Sequence, residues 1–424
     1  MLSDGWSPGI RKEMFLIKRM KTISTSRIDS IDIMRGLTVF LMLFVNDLYE
    51  PGVAHWLVHA GTEENSIGLA DLVFPAFLFM VGLSLPFAIS SRRQKGDDTK
   101  RLLQHILIRT ISLLIIGVLI FNGEERINPQ ATGMPKLVWL FLLYVAVFLL
   151  WNDYLGFSKN RLGVKRFPFV IVKCAGVLLL LYLVWIFRAG PDQHTTWLKH
   201  GWWGILGLIG WGYLAAALAY LFAGRKIIYC VLLWCGALLL NIGSLSGWLD
   251  GWRTNWSLGL LDVWLEGNVP AITLAGLVVG MCLKRGVFKP VVFVGALSLI
   301  GLFCLSAGFG LRHWFIFSKN IGTPSWAMVC NGLSMLLFAG LYYVVDIRRH
   351  AAWARPFRWA GRNALTTYLA PDMVYFLIWY FEWPLFFYKQ PIWMGWVVAG
   401  SFIWAVLMIF YAQGLTKIRI RLKL

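Results

Sequence analysis

Acidic residues are scarce in this chain. Its 424 residues include 21 Asp and Glu against 40 Lys and Arg, and charged residues of both signs make up 14%. A soluble domain carries about 25%. This shortage, with 58% hydrophobic residues and a mean hydropathy of +0.65, excludes a string of soluble domains. Cysteine is sparse too. The six cysteines, Cys174, Cys230, Cys235, Cys282, Cys304 and Cys330, fall in apolar runs, and none forms a CxxC pair. No disulfide framework or zinc site is therefore expected, and they read as small core residues. Residues 1–30 are polar and basic, with no apolar stretch beside a small-residue cleavage site, so no cleavable signal peptide is expected. No repeat of 20–50 residues recurs along the chain.

What is present is apolar sequence in lengths that suit a bilayer. A spanning helix needs roughly 20 mostly apolar residues. Twelve runs qualify, near 33–50, 69–90, 105–121, 136–151, 167–187, 201–222, 227–248, 264–283, 290–311, 325–345, 363–381 and 392–415. The fourth and eleventh fit the pattern least well. The expected fold class is all-α, a polytopic transmembrane bundle of about 11–12 spanning helices. Its expected organisation is a basic N-terminal segment, 1–30, followed by one membrane domain, 31–424. Placing the N-terminus in the cytoplasm puts 32 of the 40 Lys and Arg residues on inner segments and 8 on outer ones. That alternating bias follows the positive-inside rule and predicts that both termini are cytoplasmic. The formal charge of +19 then reflects topology, and no nucleic-acid partner is expected.

An ionisable group inside a span costs about 2.5–3.5 kcal/mol on insertion scales, so each one asks for a reason. The first helix carries Asp32, Arg35 and Asn46 on one face, at spacings of three and eleven residues. Arg35 and Asn46 are separated by roughly 16 Å along the axis. The stripe reads either as a helix-end ion pair with an amide that glues helices, or as the wall of a long ligand site. The next loop, on the outer face, holds His55, His59, Glu63 and Glu64. Imidazole is the side chain best suited to take a proton near neutral pH. His59 reads as a solvated loop residue or as a general base. His55 and His59 at i, i+4 lack a third ligand, so no metal is expected. Asp71 opens the second helix and reads as a cap or as the carboxylate that orients His59. Weaker points are Asp262 and Glu266 before the eighth helix, Lys319 and Asn320 in a polar outer loop, Arg362 and Asn363 at the inner start of the eleventh, and Asp372 deeper within it. The basic 348–362 segment suits lipid headgroups or a nucleotide phosphate.

The ordered set Arg27-Ile-Asp-Ser-Ile-Asp-Ile-Met-Arg-Gly36, Met42-Leu-Phe-Val-Asn46, His59-Ala60, Ala70-Asp-Leu-Val-Phe-Pro75 and Phe79-Met-Val-Gly82 resembles the heparan-α-glucosaminide N-acetyltransferase family, and most of all its bacterial relatives. Later matches are Ser318-Lys-Asn320, Thr323-Pro-Ser325, Asp346, Pro356-Phe357, Gly361 to Asn363 and Tyr368. The resemblance implies a polytopic enzyme that takes acetyl-CoA from the cytosol and acetylates an amino sugar on the other side. It implies that His59 is catalytic, with Asn46 and Asp71 beside it. A nucleotide would sit near Asp32, Arg35, Arg362 and Asn363, with its pantetheine arm running toward Asn46 and His59. Glu266, Lys319 and Asn320 would face the acceptor. The expected setting is a bacterial inner membrane with the His59 loop periplasmic. Expected partners are an amino-sugar or glycan acceptor and membrane lipids, with room for a homodimer.

The chain departs from the family after His59. A Trp-Asn-Gly stretch is replaced by the longer Gly61-Thr-Glu-Glu-Asn-Ser-Ile-Gly68. A Leu-Gln-Arg element appears only as Gly204-Ile-Leu-Gly-Leu, and an Asp-Pro-Glu-Gly element is reduced to Glu266-Gly267. Acetyl transfer is thus better supported than the acceptor. Two other readings remain open at this point, a sugar or glycan transporter and an O-acyltransferase for a cell-envelope glycan.

Overall fold

The computed structural model describes residues 28–154, 169–223, 226–253, 259–383, 385 and 393–424. The basic N-terminal segment therefore falls almost wholly outside the described residues, as do Arg27 and most of the basic loop near 159–168. Twelve long helices stand at the twelve expected places: α1 Asp29–Asn46, α2 Leu69–Gln94, α3 Thr99–Phe121, α4 Lys136–Trp151, α5 Phe169–Ile186, α6 Gly204–Phe222, α7 Ile227–Leu245, α8 Asn268–Arg285, α9 Pro290–Leu311, α10 Pro324–Leu341, α11 Ala364–Tyr380 and α12 Met394–Lys417. Among the described residues there are only isolated β-bridges and no strand. The fold is an all-α polytopic bundle.

Eight of these helices are long and apolar enough to cross a membrane: α2, α3, α5, α6, α7, α9, α10 and α12. The other four fall short for visible reasons. α4 and α11 have 16 and 17 residues. α1 carries Asp29, Asp32 and Arg35, and α8 ends on Lys284 and Arg285. α1 and α8 are also among the most enclosed helices, with long buried stretches facing protein. α5 lies at the other extreme, since only 11% of its apolar window is buried inside the protein. Its exposed Leu178, Leu181 and Trp185 form a face suited to lipid. Cys174 and Cys235 also lie exposed on outward-facing helices. They correct the expectation that every cysteine is a core residue.

α2 is the hub of the bundle, packing against α1, α6, α8 and α10. Its contact with α8 is backbone on backbone. A Cβ on Gly82 would stand 1.9 Å from the Thr273 carbonyl oxygen, and one on Gly276 would stand 1.9 Å from that of Phe79. Small residues that let helix backbones touch are the usual device where apolar burial gives no net attraction. The same device joins α1 to the short helix Arg355–Arg362. There a Cβ on Gly36 would meet the Phe357 carbonyl oxygen at 1.8 Å, and one on Gly361 would meet that of Asp32 at 1.9 Å. This crossing brings Arg362 alongside the start of α1. The Asp346 carboxylate seals that start by accepting from the backbone N–H groups of Asp29 and Ser30, at 3.2 and 3.1 Å.

Gly361→Val is expected to separate this crossing. A destabilisation of about 2 kcal/mol would lower the melting temperature by roughly 2 °C in a chain of this length. Gly414→Val, at a glycine with open space around it, should leave the melting temperature unchanged in the same thermal scan.

Candidate active site

The loop after α1 turns through two short 3₁₀ segments, Glu50–Gly52 and His55–Leu57, and reaches His59 behind the buried Leu57 and Val58. Its conformation is organised by one carboxylate. Asp71, in the first turn of α2, accepts from His59 Nδ1–H at 2.7 Å on Oδ1. Its Oδ2 accepts from the N–H groups of Ala60 at 3.0 Å and Gly68 at 3.1 Å. The contact with Gly68 is the residue-three to N-cap half of a capping box, so the helix terminus and the histidine share one acceptor. Trp326 of α10 donates from Nε1 to the Asp71 carbonyl oxygen at 3.2 Å and ties the site to the bundle.

The protonation pattern follows from these partners. A carboxylate only accepts, so Nδ1 carries the proton of the neutral ring and Nε2 is left with its lone pair. The Asp71 side chain is 3% exposed and that of His59 is 43% exposed. The carboxylate is thus enclosed while the imidazole edge faces the outside. Such a pair has the geometry that a general base or nucleophile with its orienting carboxylate would use.

A second loop closes over the first. Arg312 donates from Nε and Nη2 to the side-chain and backbone oxygens of Asn65, both at 3.0 Å. Ser318 Oγ donates to the Thr62 carbonyl oxygen at 2.8 Å, and Asn320 Nδ2 donates to Thr62 Oγ1 at 3.0 Å. The Gly61–Gly68 stretch therefore serves as the dock for the 312–323 loop. Docking brings Lys319 Nζ to 3.3 Å from His59 Nδ1. Nδ1 already carries the hydrogen given to Asp71, so the ammonium acts there through its charge. Burial holds Lys319 below the usual lysine range, and the attraction of Asp71 opposes that shift. His55 pairs at 3.3 Å with Glu64, whose carboxyl is held below its usual range first by the Gly61 N–H.

The remaining expected residues divide between the two ends of α1. Asn46, its last residue, is exposed and makes no contact with the His59–Asp71 pair. Its neighbour Asp47 is the buried one, accepting from Tyr375 Oη of α11, while the Asp47 carbonyl oxygen accepts from Ser401 Oγ at 2.9 Å. Glu266 lies away from His59. Its carbonyl oxygen accepts at 2.7 Å from Asn241 Nδ2, which also donates to the Gly322 carbonyl oxygen at 2.9 Å and so links Glu266 to the second loop. Neither Asp47 nor Asn241 stood out in the sequence. Asp372 is hydrogen-bonded by Tyr144 Oη at 2.6 Å inside the bundle.

Asp32, Arg35, Arg362 and Asn363 meet at the opposite end, where all four line one cavity of about 530 Å³. Asp32 is buried between Arg35, at 3.7 Å, and Arg362 Nε, at 3.2 Å. Arg35 also donates to the Gly361 carbonyl oxygen at 3.2 Å. From this charged end the cavity rises along α1 past Val39 and Met42 and along α2 past Val81 and Phe77. The lining positions 35, 39 and 42 follow helical spacing, and Asn46 is the next on that stripe. Phe77 is six residues from Asp71, about 9 Å at ~1.5 Å per residue. The cavity is therefore charged at one end and apolar along its length, and it points at the loop that carries His59.

Residues 27–132 match the family described as heparan-alpha-glucosaminide N-acetyltransferase, catalytic. The resemblance to that family holds over this stretch. It is a quarter of the chain, and it contains Asp32, Arg35, Asn46, His59 and Asp71. The chain is 32% identical over 137 residues to the mouse heparan-alpha-glucosaminide N-acetyltransferase, covering 30% of this chain and 20% of that protein. It is 38% identical over 103 residues to the human protein of the same name, covering 24% and 15%. The chain thus matches a fifth or less of the length of these relatives. The family match ends before Lys319, Asn320, Arg362 and Asn363, which the structure nonetheless sets beside the matched residues.

Lys319 offers a pH test with a defined sign. Below its lowered folded value the ammonium is charged in both folded and unfolded states, so the burial penalty is present there in full. That penalty fades as pH rises from the lowered folded value toward 10.5, the ordinary value. Lys319→Met is therefore expected to raise the melting temperature at pH 7 by roughly 1–2 °C, with the gain shrinking as the pH approaches 10. A lower melting temperature at pH 7 contradicts this account.

Proposed function

We propose that the protein transfers an acetyl group from acetyl-CoA, bound in the α1–α2 cavity, to the amino group of a glucosamine-type sugar at the His59 loop. The observation that carries the reading is a His–Asp pair at one end of α1 and a cation-lined cavity running up the same helix from the other. The family resemblance over residues 27–132 names the chemistry that such a pair of features would serve.

The cavity fits such a co-substrate. Its volume of about 530 Å³ lies within the usual range for small-molecule sites. The arginine-lined end suits the charge of a nucleotide's phosphates, and the apolar walls at Val39, Met42, Phe77 and Val81 suit the uncharged arm. When bound, acetyl-CoA would supply an activated thioester carbonyl at the upper end. The chain's own residues do the rest. Asp71 fixes the imidazole with Nε2 outward. His59 Nε2 takes the proton of the acceptor amine as that nitrogen attacks the carbonyl carbon. The C–S bond breaks and the departing sulfur takes a proton, which His59 is placed to return. Asp71 stabilises the imidazolium between these events. Attack by His59 Nε2 itself, forming an acetyl-imidazole before the amine arrives, uses the same geometry. Lys319 adds positive charge close to the imidazole ring on its Nδ1 edge, and Asn46 stands one turn beyond Met42 as a donor for the developing oxyanion. We place Lys319 and Asn320 on the acceptor side because they belong to the loop that covers His59. In this reading the His59 loop lies outside the cytoplasm and both termini lie within it.

Purified protein incubated with labelled acetyl-CoA and a panel of amino sugars and hydroxyl-only sugars should label the amino sugars. His59→Ala should lower the rate by roughly 10²- to 10⁴-fold while CoA binding is retained. Full activity in that variant removes His59 from the mechanism, and label on hydroxyl sugars alone replaces N-acetylation with O-acetylation.

A further inference from the structure

Arg109 of α3 differs from every other cation lining the cavity. Arg35 and Arg362 share Asp32, and Arg362 also lies 3.8 Å from Asp29. Lys423 lies 3.7 Å from Asp153. Each of these three has a carboxylate of its own chain. Among the described residues Arg109 has none. Its guanidinium carbon lies over the Tyr213 ring of α6, 4.7 Å from the centroid, and its Nε is buried with no hydrogen-bond acceptor. The position is internal, ten residues above the start of α3. A half-buried cation there, without a carboxylate of its own chain, leaves its charge to be met by another group.

The surroundings specify what that is. Arg109 and Tyr213 line the same cavity as Arg35 and Arg362, together with Ser84 and Ser91 of α2. The guanidinium, held against an aromatic ring, lines the cavity with its buried Nε still lacking an acceptor. A phosphate group matches a guanidinium's N–H fork in shape and charge better than any neutral polar group. We infer that Arg109 is the residue through which the cavity grips a phosphate of its nucleotide ligand, while Arg35 and Arg362 chiefly shape the site through their pairing with Asp32 and Asp29. The inference rests on the reading of the cavity as the CoA site. The sequence hides this role, because Arg109 closes a run of basic residues that topology alone accounts for.

The test is equilibrium binding of CoA, 3′-dephospho-CoA and pantetheine to the purified full chain and to R109Q. Arg109→Met serves in its place if the glutamine variant does not remain monodisperse. The variant should bind CoA about 10- to 100-fold more weakly and bind pantetheine unchanged. A loss seen with CoA but not dephospho-CoA assigns the contact to the 3′-phosphate, and an equal loss with both assigns it to the diphosphate. Either result supports the inference. Unchanged CoA affinity, or equal weakening of CoA and pantetheine, overturns it. If the wild-type chain binds no CoA, the reading of the cavity fails as a whole, and this result is distinguishable from the failure of Arg109 alone.

Discussion

A charge inside a bilayer costs several kcal/mol unless another group meets it, and the internal charges of this protein are arranged by that constraint. Asp32 is buried between two arginines, and Asp29 takes a third from the same short helix. Because the partners come from α1 and from Arg355–Arg362, the pairing also fixes how those two helices cross. The glycines Gly36 and Gly361 let the backbones come close enough for it. One requirement thus sets both the local packing and the charged end of the cavity.

At the other end of α1 the organising group is again a carboxylate. Asp71 accepts the histidine and two backbone N–H groups at once, so the start of α2, the path of the loop and the tautomer of His59 are coupled. The second loop reinforces that arrangement through Asn65 and Thr62. Arg312, Ser318 and Asn320 hold Lys319 beside the pair despite the burial penalty on its ammonium. A protein that sought stability alone would place an apolar side chain there. Retention of the charge is consistent with the proposed role beside a transition state that develops negative charge.

The twelve helices were legible because each is an apolar run of membrane length, and the four that fall short are those with charges or fewer residues. His59 and Asp71 were legible together because the loop is short and Asp71 stands at a helix start. Asp47 escaped notice because the residue that explains it, Tyr375, lies 328 positions away. Asn241 escaped for the same reason, since its bridge to Gly322 spans 81 residues. Spacing rules see neighbours along one helix and are blind to contacts between distant ones. Asn46 illustrates the converse. Its place on the stripe was readable, but its exposure at the end of α1, with Asp47 turned inward instead, was not.

We propose that donor and acceptor approach His59 from opposite faces of the membrane. Sealed vesicles of defined orientation test it most directly, with labelled acetyl-CoA supplied on one side and glucosamine on the other. Labelled product should form when acetyl-CoA is on the face of the Arg35–Arg362 end and the sugar is on the face of His59, and should be absent when the two are exchanged. Equal product from both arrangements, or product only when both are on the same side, contradicts the account.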